Sequence, residues 1–374
     1  MTQIQTITIK GYKSIRSLVD FKLRSLNVLI GANGSGKSNF IGAFRFLAAV
    51  VGDNFPVDVQ KWGGPDALLH YGKKTSPSMM LEVAFSPEQD VQHGYRITLE
   101  ATQDNRLIFA REEPWMHDLQ QTKAYPLGSG HELARTGTDN APESAQISKH
   151  VADKLKIWRQ YHFHDSGDTA AVKGRRPSNE NLRLLPDAAN LAAYLRKLKT
   201  NSAWLPSYLR IVDTIRLAAP FFGDFVFRDE QAEYIELEWS ERGKPDTPWK
   251  AHMLSDGTLR FICLTTLLLQ PIALLPDTVL IDEPELGLHP FAINLLADML
   301  QQVAETRQVI VSTQSVELLN AFEPEDVVVV QREQDETRFK RLNATELADW
   351  LSDDYHYTLG ELWQRNILGG RPSR

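Results

Sequence analysis

The string Gly31-Ala32-Asn33-Gly34-Ser35-Gly36-Lys37-Ser38 constrains this chain more than any other feature. Just before it, Leu26 to Ile30 is an almost unbroken apolar run, suited to a strand buried on both faces. Just after it, Phe40, Ile41, Phe44, Phe46, Leu47 and Val50 recur near the helical period, which predicts a helix over 37–51. A buried strand that turns through glycines directly into a helix belongs in a parallel sheet covered by helices. Gly31 and Gly36 bracket four residues and are followed by Lys37 and Ser38, the phosphate-loop pattern. The glycines let backbone N–H groups turn inward, and the N-terminus of the new helix adds positive potential. In such a loop Gly31, Asn33, Gly34, Ser35, Gly36 and Asn39 surround ATP, Lys37 reaches the β and γ phosphates, and Ser38 holds Mg²⁺. Glycines that only made a turn would need neither Lys37 nor Ser38.

A second apolar run, Thr278 to Ile281, ends in Asp282-Glu283-Pro284. A strand that releases an acid at its carboxyl end puts it where open α/β sheets hold their ligands, so Asp282 is expected to orient Mg²⁺. Glu283, pointing differently, is expected to polarise the attacking water. Around these two runs the pattern is helix, strand, helix, strand: 255–269, 278–282, 291–306 and 308–312. Further strands are expected at 4–9, 18–23, 80–85 and 95–99, and a long exposed loop at 119–148. Helices at 184–199 and 206–218 and strands at 225–228 and 234–239 are read as an arm or lid inserted into an α/β nucleotide-binding fold. The expected division is 1–115 with the phosphate loop, 116–249 as the arm, 250–335 with the second acid site, and 336–374 as an extension.

Composition closes off other classes. Apolar residues at 42% and charged residues at 24% are ordinary globular usage, which excludes a wholly disordered chain. A formal net charge of −7 means that any nucleic-acid contact must be local. Cys263 is the single cysteine, so neither an intrachain disulfide nor a cysteine metal site can form, which fits a reducing cytoplasm. The stretch 261–281 is interrupted by Thr265, Thr266, Gln270, Pro271, Pro276 and Asp277, against a membrane span. No sustained heptad run occurs, which excludes a long coiled coil.

Leu254-Ser255-Asp256-Gly257-Thr258 opens a helix, and by itself Ser255 reads as an N-cap. The string resembles the signature of ABC-type ATPases. With Asp282-Glu283-Pro284-Glu285 and Leu288-His289-Pro290, the chain resembles the SMC and RecF branch, close to OLD-like predicted bacterial ATPases. That resemblance implies a P-loop nucleotide-binding domain with a mixed sheet. It also implies that Ser255 and Gly257 contact the γ phosphate of ATP held by another protomer, and hence a head-to-tail homodimer or higher homo-oligomer. Gly11-Tyr12-Lys13-Ser14 resembles the family's early segment near the nucleotide. Ser312-Thr313-Gln314-Ser315 stands where many relatives carry Thr-His-Ser, so Gln314 takes the switch position; it can donate a hydrogen bond but cannot carry positive charge. No glutamine loop is identifiable, Gln60 being read as an exposed residue.

The function expected is a Mg²⁺-dependent ATPase that switches by ATP-driven dimerisation. Its expected setting is DNA-related work, anti-phage defence or DNA repair, with a separate effector such as a nuclease or Toprim-like protein. The alternatives are a RecF-like ATP-gated DNA clamp and a slowly hydrolysing ATP-bound scaffold. Lys173, Arg175, Arg176, Arg183, Arg196, Lys197 and Lys199 outnumber Glu180 and Asp187, a candidate DNA-facing patch centred on Lys173, Arg175 and Arg176. Tyr161 to Asp165 reads as a strand with His162 and His164 on one face, a spacing able to chelate a metal or serve only structure.

Overall fold

The structure, a computed structural model, describes residues 3–118, 121–137, 145–165, 167, 169–228, 232–351 and 357–370. Strands β1 (Ile4–Tyr12), β2 (Ile15–Lys22) and β3 (Leu26–Ile30) lead through the glycine turn into α1 (Lys37–Val50), then α2 (Phe55–Lys61) and α3 (Pro65–Leu68). Next come β4 (Ser78–Phe85), β5 (Gln92–Ala101), β6 (Leu107–His117), β7 (Thr122–Ala124), α4 (Ala145–Lys156), β8 (Arg159–Tyr161) and β9 (Arg176–Pro177). Helices α5 (Leu191–Thr200) and α6 (Leu205–Ala218) are followed by β10 (Phe222–Phe225), β11 (Tyr234–Ile235), β12 (Glu238–Glu241) and β13 (Lys244–Lys250). The chain continues as α7 (Asp256–Leu269), β14 (Thr278–Asp282), α8 (Pro290–Ala304), β15 (Gln308–Thr313) and α9 (Val316–Leu319). It closes with β16 (Val327–Glu333), β17 (Glu336–Arg341), α10 (Ala344–Leu351) and α11 (Leu359–Gln364).

Two six-stranded sheets organise these elements: β2-β1-β4-β5-β6-β7, and β17-β16-β3-β15-β14-β8. In the second, β16, β3, β15, β14 and β8 are mutually parallel and only β17 is antiparallel, so the sheet is mixed. Its parallel strands are apolar on both faces because both are covered. Val28, Ile30, Val309, Val311, Val279 and Ile281 point into a core shared with α5 to α9. Leu29, Ile310, Leu280, Val328 and Val330 point into a core shared with α1 and the antiparallel sheet. The fold is therefore α/β, as expected, and the longest described helix is α8, with 15 residues. No described helix is long and apolar enough to cross a membrane.

Several local expectations change. Of the stretch 119–148, residues 119–120 and 138–144 lie outside the described residues; the rest is not one exposed loop, since it contains β7 and the start of α4 and buries Leu127 and Thr136. Its organiser is Glu112, fully buried, which accepts from Tyr95 Oη at 2.9 Å, Arg135 N at 2.9 Å and Thr136 N at 2.9 Å, and lies 2.7 Å from His131 Nε2. The helix expected from 184 begins only at Leu191. Before it, Asn190 holds a turn by accepting from Leu185 N at 2.9 Å and donating to Arg183 O at 2.8 Å. The strand expected at 225–228 lies earlier, at β10, and 234–239 divides between β11 and β12. The segment 116–249 is not set apart from the rest: β8 forms an edge of the central sheet, and residues of α5 and α6 share a core with α7. Likewise β17, within 336–374, forms the opposite edge.

Candidate functional site at the carboxyl edge of the central sheet

The glycine-rich loop joins β3 to α1 and is anchored from three sides. Lys37 Nζ donates to Gly31 O at 2.7 Å and Ala32 O at 3.1 Å, folding back over its own loop. Thr337 Oγ1, on β17, donates to Ser35 O at 2.9 Å and lies 2.7 Å from Ser14 Oγ. Asn39 Nδ2 donates to the same Ser14 hydroxyl at 2.7 Å. Gly36 stands at the N-cap of α1 and supplies no side-chain cap, whereas Ser255, Ser315 and Thr358 cap α7, α9 and α11. The first N–H groups of α1 are thus left for a ligand. Ser35 Oγ is buried without a partner, a second polar group facing the loop's own interior. Burial lowers the Lys37 pKa, an effect opposed by Glu283, Asp282 and Glu285. These features fit a bound polyphosphate.

Parallel pairing of β14 with β15 and β8 brings the acidic residues to this loop. Asp282 Oδ1 lies 3.5 Å from Ser38 Oγ and accepts from Ser312 Oγ, and Oδ2 lies 3.4 Å from Gln160 Nε2. A serine hydroxyl and a carboxylate at that separation suit a hard, oxygen-seeking cation. Glu283 takes a left-handed backbone (φ 44°), fixed by its N–H donating to Ser312 O at 2.9 Å. Its carboxylate is thereby turned to Gln314, whose Nε2 donates to Glu283 Oε1 and, at 2.6 Å, to Asn33 Oδ1. One amide spans the glycine loop and the second acid.

Beneath it lies Glu285. Its Oε1 accepts from Thr313 Oγ1 at 2.7 Å and Gln314 N at 2.9 Å, while Oε2 is buried without a partner. Burial raises the Glu285 pKa, against those hydrogen bonds.

Ser255 and Gly257 lie at the start of α7, and neither is joined to the glycine loop by the contacts they make here. Ser255 Oγ accepts from Thr258 N at 3.2 Å, as its N-cap reading expects. Gly257 is set by close approach: a Cβ there would lie 2.2 Å from Gly287 O. The helix start is exposed at Ser255 and Asp256, as are Met253 just before it (56%) and Leu286 (42%), next to Gly287.

Gln160 was not singled out from the sequence; only the pairing of β8 with β14 puts it against Asp282. Gln60 instead donates to Asn105 O at 3.0 Å. A cavity of about 120 Å³ beside Ser38 is lined by Lys13, Arg45, Trp62 and Gln160. Burial, then the charge of Arg45, lowers the pKa of Lys13.

Two readings are corrected here. The strand that begins at Arg159 ends at Tyr161, so His162 and His164 do not share a strand face. The backbone at Phe163 and His164 is instead held by Arg260, which donates to their carbonyls at 2.9 and 3.1 Å. No three His, Cys, Asp or Glu side chains among the described residues are grouped to hold a metal. The basic run is not a single exposed face either. Lys173, 7% exposed at its side chain, lies 3.6 Å from Asp256, and Lys199 lies 2.8 Å from Asp224, while Arg175 is exposed.

Fold and loop together define a P-loop ATPase with the architecture of an SMC head. The chain belongs to the family described as "AAA domain, putative AbiEii toxin, Type IV TA system", matched over residues 26–320. Two solved structures share the fold: an Smc head bound to the C-winged helix domain of ScpA (TM-score 0.59, 15% identity, 92% of this chain and 99% of that one). The other is a Pyrococcus furiosus Smc head with an extended coiled coil (TM-score 0.58, 14% identity, 94% and 99%). A curated relative, urease accessory protein 2 of Cryptococcus neoformans, is 41% identical over 203 residues, 52% of this chain. The match spans 14% of that protein's length.

Proposed function

We propose that this chain is a Mg²⁺-dependent ATPase that works as an ATP-driven dimeric switch. The observation that carries the ATPase part of this reading is the bridge from Asn33 through Gln314 to Glu283. Gly31, Gly34, Gly36, Ser35 and the first turn of α1 would hold the phosphates through N–H and hydroxyl groups, with Lys37 turning from its loop carbonyls to the β and γ phosphates. Ser38 and Asp282 would hold Mg²⁺, which when bound neutralises charge on the phosphate oxygens. Glu283 would accept a proton from water while one N–H of Gln314 fixes the direction of its carboxylate and the other turns from Asn33 Oδ1 towards the γ phosphate.

Ser255, exposed at the start of α7, would be offered to a second protomer, where it and Gly257 would meet the other chain's ATP. The family's description as a toxin of a toxin–antitoxin system supports regulated defence or DNA-related work. The ScpA-bound Smc heads support a separate polypeptide effector, for which a nuclease or Toprim-like protein is the proposed class. Any DNA contact would rest on Arg175 and Arg176, since Lys173 faces Asp256. Phosphate release from Mg²⁺-ATP tests the enzyme: it should be lost in Lys37→Ala and Glu283→Gln. Wild-type rates in either variant would overturn the assignment.

A further inference from the structure

Beyond α11 the backbone turns back to the glycine-rich loop. Ile367 N donates to Leu362 O at 2.9 Å, Leu368 is buried, and Gly370 O accepts from Ala32 N at 2.9 Å. Gly370 N donates to Gln331 Oε1, on β16, at 3.1 Å. The segment is therefore seated between β16 and the loop, bonded to each.

Its two glycines are required by this fit. Gly369 and Gly370 have φ of 84° and 83°, where other residues are strained. A Cβ on Gly369 would lie 2.8 Å from Gln331 Oε1, the atom that receives the Gly370 N–H. A Cβ on Gly370 would lie 3.1 Å from Val329 Cγ1 and 3.6 Å from Gly31 Cα.

The bond to Ala32 N acts on one particular peptide plane. Gly31 O and Ala32 N belong to the same rigid unit. Lys37 Nζ holds the oxygen at 2.7 Å, and Gly370 O holds the N–H at 2.9 Å. On the proposed reading of the site Lys37 leaves Gly31 O for phosphate, so one of the two holds on that plane is released when nucleotide binds.

We infer that the segment Leu368–Gly370, secured by Gln331, is a positioning element of the phosphate loop: it fixes the Gly31–Ala32 peptide after Lys37 has turned away. This inference rests on the nucleotide-binding reading above for its purpose, though not for its geometry. It adds Gly370 and Gln331 to the residues on which affinity depends, neither of which touches the ligand. It also makes α11 and the turn after it a mechanical neighbour of the site.

The test compares wild type, a chain lacking residues 369–374, Gln331→Ala, and Gln331→Glu combined with Glu333→Gln, which retains the oxygen acceptor and, because Gln331 Nε2 donates to Glu333 Oε1, avoids facing two carboxylates. Hydrogen exchange over 30–36 without nucleotide, Kd for a fluorescent ATP analogue with Mg²⁺, and Tm are read for each. Deletion and Gln331→Ala should speed loop exchange and raise Kd about tenfold, equivalent to about 1.4 kcal/mol, while exchange in the core strands is unaltered. The combined Gln331→Glu and Glu333→Gln variant should restore both. Unchanged loop exchange and Kd in the deletion would overturn the inference, as would acceleration spread evenly over the core. If the deleted chain fails to fold, the pair of Gln331 variants decides by the same readings. If wild type itself binds no analogue, the nucleotide reading fails, and loop exchange still decides whether the segment positions the loop.

Discussion

Gln314 Nε2 lies 2.6 Å from Asn33 Oδ1 and donates as well to Glu283 Oε1, so a single side-chain amide ties the glycine-rich loop to the second acid of β14. A neutral donor can serve here because both partners are oxygen acceptors. Gln314→Ala should lower turnover about 10²-fold, the range for removing one preorganised donor, with nucleotide affinity changed less than threefold. Equal turnover in a phosphate-release assay would show that the bridge has no part in the chemistry.

Glu285 makes a pH-dependent prediction. Its folded pKa is raised by burial, so the folded state holds its proton more tightly than the unfolded state does. The associated stability is present at pH below the unfolded value and is lost as pH rises through the folded one. Glu285→Gln keeps an oxygen to accept from Thr313 and Gln314 and removes the ionisation. Its Tm relative to wild type should therefore climb from pH 4 to pH 8; a difference that stays flat would contradict the raised pKa.

Glu112 is buried under the segment 125–137 and gathers donors from Tyr95, Arg135 and Thr136. Glu112→Ala leaves these groups without their acceptor, and should cost about 3 kcal/mol or more. Limited proteolysis should then cut within 125–137 before any other described region. Cleavage elsewhere first would mean that this carboxylate does not anchor the segment.

How much of this could be read from the sequence follows from what places each part. β3 and β14 were legible to the residue because both lie in the doubly covered sheet and read as apolar runs ended by glycine or acid. α4 was missed altogether: Ile147, Val151 and Leu155 lie four apart, but the polar stretch before them reads as a loop that runs into the helix. Gln160 had no local signal at all, since its neighbour Asp282 comes to it through long-range parallel pairing. Lys173 was visible as a charge, yet its partner Asp256 lies in another element. The strain at Glu283 and the approach of Gly287 to Gly257 are likewise properties of the assembled fold.

That approach yields its own prediction. Gly257→Ala places a methyl 2.2 Å from Gly287 O, so either α7 or the turn before α8 must shift. Tm should fall, with a loss of about 1–3 kcal/mol as for overpacking, and any ATP-dependent association should weaken with it. A variant with unaltered Tm would show that the contact is soft.

If ATP joins two copies through Ser255 of one and the glycine loop of the other, the mass in solution must follow the nucleotide. Light-scattering mass of Glu283→Gln, without nucleotide and with Mg²⁺-ATP, tests this most directly, with Ser255→Arg introduced into the same background as the control. ATP should double the mass of Glu283→Gln, and Ser255→Arg should abolish the doubling. A mass unmoved by ATP, or a dimer that survives Ser255→Arg, would contradict this arrangement.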